Sequence, residues 1–112
     1  MTETVVDGPL TATIREAWIL KEDRRLSGQW PEWTDKPTIH AIVIETISVE
    51  EPHRRQGHCR RFLDMVLADV RFEMVVVEGV GNKALVAFLF RDGWECPNVT
   101  VGDWFKAGGG AR

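Results

Sequence analysis

The segment from Ile47 to Cys59 (ISVEEPHRRQGHC) holds the chain's most concentrated chemistry. An apolar, β-branched run leads into Arg54, Arg55 and Gln56, then Gly57, then a helical pattern carrying Arg60 and Arg61. Backbone N–H groups that open a helix have no partner inside it and lie at the positive end of its dipole, so they bind phosphate well. Gly57 lets a ligand approach the backbone closely. The arginines gather positive charge in a chain whose formal net charge is −3. The physical reading is an anion site suited to a pyrophosphate. A solvated helix face is the plain alternative, since runs of charge commonly mean that, and on this segment alone the two readings stand about even.

Such a site needs elements to position it. Residues Leu10 to Lys21 alternate with period two and predict a strand. Glu22-Asp23-Arg24-Arg25 reads as a turn, and Leu26 to Trp30 as the returning strand of a hairpin. Pro31 and Pro37 bracket a loop that carries Trp33. Ile39 to Val49 is nearly continuous in apolar residues, which suits a central strand covered on both faces, with Glu45 as the exception inside it. From Gly57 to Val70, Cys59, Phe62, Leu63, Val66, Leu67 and Val70 fall at helical spacing. Phe72 to Val77 predicts another buried strand. Asn82 is a good N-cap for a second helix with Leu85, Phe88 and Leu89 inward, closed by Arg91-Asp92-Gly93. Val99 to Val101 and Trp104 to Lys106 suggest a terminal hairpin around Gly102-Asp103, and Gly108-Gly109-Gly110 a mobile tail. The expected order is hairpin, strand, helix, strand, helix, hairpin: an α/β (α+β) domain spanning residues 1–112, its tail flexible from about residue 107.

Composition sets outer bounds. The chain of 112 residues is 44% hydrophobic and 28% charged, too apolar for disorder and long enough for one core. Its acidity disfavours a nucleic-acid binder that works through overall positive potential. No run approaches the ~18 apolar residues of a membrane span, and the N-terminus does not read as a signal peptide. Cys59 and Cys96 form no disulfide framework or CxxC metal spacing, so a reduced, cytoplasmic setting is expected and no metal. His40, His53 and His58 share no ligand spacing with Cys59 or a carboxylate pair.

The Arg54 loop resembles motif A of the GNAT superfamily of acyl-CoA N-acyltransferases, whose signature is Arg/Gln-x-x-Gly-x-Gly/Ala after a strand. Arg54, Gly57 and Cys59 stand at its three defining places, with Ile47, Val49 and Pro52 upstream. Asn82 to Trp94 (NKALVAFLFRDGW) resembles motif B, an Asn-initiated helix ending in Gly-aromatic, with one strand between the two helices. The resemblance covers about residues 18–106. It implies a GNAT-like mixed, mostly antiparallel central sheet flanked by two main helices, and an N-acetyltransferase using acetyl-CoA (coenzyme A) as co-substrate.

The resemblance also assigns roles. Arg54, Arg55, Gln56, Gly57, His58, Cys59 and Arg60 would wrap the pyrophosphate, with Asn82 in the cofactor-binding set. The pantetheine arm would lie between the strands 39–49 and 72–77, against Ile47, Ser48 and Val49, and a backbone N–H near Val49 would stabilise the thioester oxyanion. Glu45 would be the general base that deprotonates the amine. An apolar surrounding would raise its pKa into a useful range; pairing with a nearby arginine is the structural alternative.

Three departures accompany the match. Cys59 replaces a small Gly or Ala and could crowd the phosphate; at a helix start beside arginines its thiol is expected to have a lowered pKa. The place where the family often has a tyrosine acid is Leu89, and the chain contains no tyrosine. His53 and Cys96 are weak substitutes. The helical pair that usually precedes the first hairpin, and commonly walls the acceptor site, is missing, so the acceptor amine, small molecule or protein, is unspecified and a homodimer stays open. The competing function is a catalytically weak or inactive GNAT-fold binding or structural protein, of the kind a bacteriophage encodes. A small basic-loop nucleic-acid binder ranks third. Val77 to Ala84 also fits a dinucleotide fingerprint, but too little chain follows to build a nucleotide-binding half.

Overall fold

The computed structural model describes residues 2–23, 30–50, 56–99 and 101–111. Its elements are β1 (Thr2–Asp7), β2 (Leu10–Leu20), β3 (Thr38–Val49), α1 (His58–Leu67), β4 (Met74–Val77), α2 (Lys83–Arg91) and β5 (Trp104–Ala107), followed by a short 3-10 turn, Gly109–Ala111. They form one mixed sheet in the order β1-β2-β3-β4-β5. Only β3 and β4 run parallel, joined by α1 as the crossover; the other neighbours are antiparallel.

Two apolar clusters account for the near-continuous hydrophobic run of β3. Ile42 and Ile44 join Leu10, Ala12, Val75 and Val77 beneath Phe62, Leu63, Val66 and Leu67 of α1 and Leu89 of α2. The alternate residues Ile39, Ala41 and Val43 join Ile19, Met74, Val76 and Phe105, against which Trp30 and Trp33 pack. Period-two alternation sends these sets to opposite faces, so the helices cover one face and the proline-flanked loop helps cover the other.

The hairpin differs from the one expected. The partner of β2 is β1, joined through Gly8 at φ 59°. β1 (TETVVD) escapes pattern reading because it is an edge strand with little buried surface, so nothing forces an apolar face on it. The expected strand Leu26 to Trp30 lies, apart from Trp30, outside the described residues; Trp30 is not in a strand.

The terminal hairpin is also corrected. Val99 and Val101 belong to a turn in which Asn98 Oδ1 accepts the Val101 amide at 3.3 Å and Asn98 O accepts that of Gly102 at 3.0 Å. β5 pairs with β4 instead, because Trp104 and Phe105 gain burial there. In place of a mobile tail, Gly108 and Gly110 donate backbone hydrogen bonds to Glu73 O (2.9 Å) and Phe72 O (2.8 Å). A Cβ at Gly108, Gly109 or Gly110 would come within 2.6–2.7 Å of a backbone carbonyl oxygen, so this glycine run is a close-packing device. α1 stops three residues before the expected Val70, and β4 starts two after Phe72, which is nevertheless buried.

Candidate functional site

β3 and β4 stay paired only from Ala41–Met74 to Ile44–Val77, and the last link is the Glu78 amide donating to Ile44 O at 2.9 Å. Beyond it β3 continues to Val49, paired with Leu10 to Thr13 of β2 on its other side. The register shifts between Thr13 and Ile14, leaving Glu45 without an opposite residue, which is a β-bulge. The two parallel strands therefore part at the bulge. Past it, the β4-facing edge of β3 has no strand partner among the described residues.

α1 starts at the carboxyl end of β3, where the strands part. Its N-cap is Gly57 at φ 81°, a left-handed conformation that glycine takes without strain. Among the described residues no side chain caps the helix start, and no acidic residue stands in its first turn to compete with an incoming anion. Among the described residues nothing lies within 4 Å of where a Gly57 Cβ would be, leaving open space at the backbone.

The expected cofactor-binding residues divide. Gln56, Gly57 and His58 gather at this helix start, while Arg54 and Arg55 lie outside the described residues, as does His53. Ile47 and Val49 point their side chains to the helix-side cluster. Ser48 is on the exposed alternate face. Cys59 is half-buried against the same cluster, so its thiol turns inward. Burial pushes that thiol up from its ordinary range, the reverse of the lowering expected from the helix start. Arg60 is engaged elsewhere: Nη1 lies 3.3 Å from Asp92 Oδ1 and the guanidinium stacks over Phe88 at 4.8 Å. Asn82 caps α2, its Oδ1 accepting the Leu85 amide at 3.0 Å. Leu89 is fully buried, so its place on α2 belongs to the core. Cys96 is half-buried; burial and the Asp103 carboxylate push its thiol up.

Glu45 does not sit in apolar surroundings. Its Oε1 accepts the Thr2 hydroxyl at 2.9 Å, and its Oε2 faces Arg15 Nη1 at 3.9 Å. Arg15 Nη2 donates to Glu78 Oε2 at 3.1 Å. Thus one guanidinium from β2 faces a carboxylate on β3 and another on the residue that directly follows β4. Composition and motif reading did not find Arg15, Glu78 or Thr2. The available signals were a charged residue inside the β2 alternation and a glutamate directly after the apolar run of β4.

No protein-family model and no curated protein sequence matches the chain. Solved structures do share its architecture. A bacterial toxin superposes with TM-score 0.63 at 17% identity, over 88% of this chain and 59% of its own. The KacTA–DNA complex superposes with TM-score 0.62 at 13% identity, over 96% of this chain and 66% of its own. The fold is GNAT-like. The chain thus spans less than two thirds of either matched structure. In the GNAT-like frame the parallel pair parts at the carboxyl ends of its strands, the place where ligands of open α/β sheets commonly bind. Among the described residues no group of His, Cys, Asp and Glu could hold a metal ion, and no helix is long and apolar enough to cross a membrane.

Proposed function

We propose that this chain is an acetyl-CoA-dependent N-acetyltransferase that moves an acetyl group to an amine by direct attack. The observation that carries the reading is the parting of β3 from β4 beside the uncapped, glycine-started N-terminus of α1. Gly57 and the first-turn amides of α1 would hold the pyrophosphate, with Gln56, His58 and the arginines Arg54 and Arg55 of the preceding segment adding charge and donors. The inward turn of the Cys59 side chain leaves that corner clear. The stretch of β3 from Ile47 to Val49, past its pairing with β4, would lie along the pantetheine arm, and a backbone N–H near Val49 would donate to the acyl oxygen. Acetyl-CoA, when bound, supplies the activated acetyl thioester.

Glu45 would take the proton that the amine gives up as its nitrogen bonds the acyl carbon and the carbon–sulfur bond breaks. A leaving thiol with pKa of ~8.5 departs without a dedicated donor, which fits a chain that has no tyrosine and a buried Leu89. The likeness to a bacterial toxin extends the reading to a toxin role. The KacTA structure contains DNA; a net charge of −3 favours an acceptor other than nucleic acid for this chain. Leu89 also motivates the second reading, a GNAT-fold binding protein without catalysis.

The test is a thermal melt with acetyl-CoA, since a ligand that binds only the native state raises Tm. A rise that Gly57→Asp removes supports the reading. No rise at millimolar acetyl-CoA overturns it, and a rise without transfer to any amine favours the binding protein.

A further inference from the structure

Arg15 stands opposite Val43 in the β2–β3 ladder, yet its guanidinium reaches across β3 to Glu78 at the end of β4. On the way Nη1 comes to 3.9 Å from Glu45 Oε2. That nitrogen is buried and has no hydrogen-bond partner among the described residues. A buried donor left unsatisfied is costly, and such groups call for a reason beyond packing. Glu45 itself belongs to a bulge, a place where strands re-aim a side chain. Its other carboxylate oxygen is held from the opposite direction by Thr2 of the edge strand.

From this geometry we infer that Arg15 is a positioning residue, which acts through Glu45 by fixing its carboxylate at the mouth between β3 and β4. The inference rests on the transferase reading of Glu45 and adds the residue that aims it. Arg15 spans the opening: one arm is tied to the β4 side through Glu78, and the other faces Glu45 on the β3 side. A guanidinium presents its donors in a rigid planar fork, so anchoring one arm at Glu78 sets the direction of the other. Glu45 is thereby confined between Nη1 and the Thr2 hydroxyl. Arg15 stays outside bond making and breaking, and its removal leaves the helix start at Gly57 untouched.

The experiment compares the full chain with Arg15→Gln and Arg15→Lys, using acetyl-CoA as donor, spermidine and glycinamide as amine probes, and released CoA thiol as the readout. Arg15→Gln should lower kcat by on the order of ten- to a hundredfold, while KM for acetyl-CoA and the melting rise it causes stay within twofold. Arg15→Lys keeps the charge without the fork and should recover part of kcat. If Arg15→Gln fails to fold, Glu78→Gln, which frees one end of Arg15, should give the same split at smaller size. A kcat within twofold of wild type in the folded variants overturns the inference alone, as does an equal loss in kcat and in acetyl-CoA binding. A wild-type chain that melts higher with acetyl-CoA yet acetylates neither amine also overturns it, leaving coenzyme binding intact. No melting response in wild type overturns the transferase reading and the inference with it.

Discussion

Asp103 Oδ1 accepts a hydrogen bond from the Gly79 amide at 2.6 Å, and Asp103 is the one polar residue buried among those described. The bond ties the approach to β5 onto the turn that follows β4, where Gly79 has φ 58°. The same turn carries Glu78, so Asp103 supports the β4 side of the opening from behind. Asp103→Ala should destabilise the fold by about 1–2 kcal/mol, the loss of a part-buried hydrogen bond to a carboxylate. Asp103→Asn keeps an acceptor oxygen and should cost less. Urea denaturation of both variants checks the order.

Gly57 separates stability from ligand binding. Any L-residue placed at φ 81° takes on strain of order 1–2 kcal/mol, but nothing crowds the added Cβ. Gly57→Ala should therefore fold with a lower Tm and keep its response to acetyl-CoA. Gly57→Asp should fold about equally well and lose at least tenfold in affinity, because its carboxylate opposes the pyrophosphate. Calorimetric titration of both variants is the measurement.

Cys59 titrates against the usual expectation for a helix start. Burial favours its neutral thiol, so alkylation by iodoacetamide at pH 7.5 should be slower than for a free cysteine peptide and rise as pH increases. The sign for stability follows. In the ordinary thiol range the unfolded chain loses this proton first, so ν_U falls below ν_N and stability declines as pH rises. Cys59→Ser should flatten that alkaline decline, read as Tm against pH.

Asp92 behaves oppositely. Burial alone would raise its carboxyl, but the Trp94 indole at 3.2 Å, Lys106 and Arg60 together hold it below the ordinary range. Its stabilising effect is present above the ordinary aspartate pKa and is lost as pH falls toward the lowered folded value. Asp92→Asn should thus lose stability at pH 7 and show a shallower acid decline of Tm.

The glycine run offers a steric test. Gly110→Ala would bring its Cβ to 2.7 Å from Val70 O and 2.8 Å from Phe72 O, both backbone atoms that cannot rotate away. A loss of roughly 1–3 kcal/mol is expected, as for other overpacked sites. Thermal melts of Gly110→Ala against wild type decide it.

What pattern reading could see was set by burial. β3, α1, β4 and α2 are legible because each packs an apolar face, so Ile42, Phe62, Val75 and Leu89 mark their periods. β1 escapes because Thr2 to Asp7 bury almost nothing, and β5 is mispaired because period two marks a strand without naming its neighbour. The three glycines invite a reading as slack chain, since close approach to backbone leaves no residue pattern behind. Among the residues of the proposed site, Gly57 and Glu45 are legible in the sequence, one by its spacing before a helix and one as a charge in an apolar strand. Arg15 and Glu78 are not: they lie 63 positions apart in the chain, and it takes the β2–β3 and β3–β4 pairings together to bring them into contact.

Trp18 lies face to face with His40, ring centres 4.6 Å apart, and is 64% exposed, whereas Trp94 and Trp104 are 4% and 9% exposed. Acrylamide or iodide in solution will therefore collide with this indole well before those two. Its emission is a built-in optical gauge of the far end of β2, readable without any attached dye.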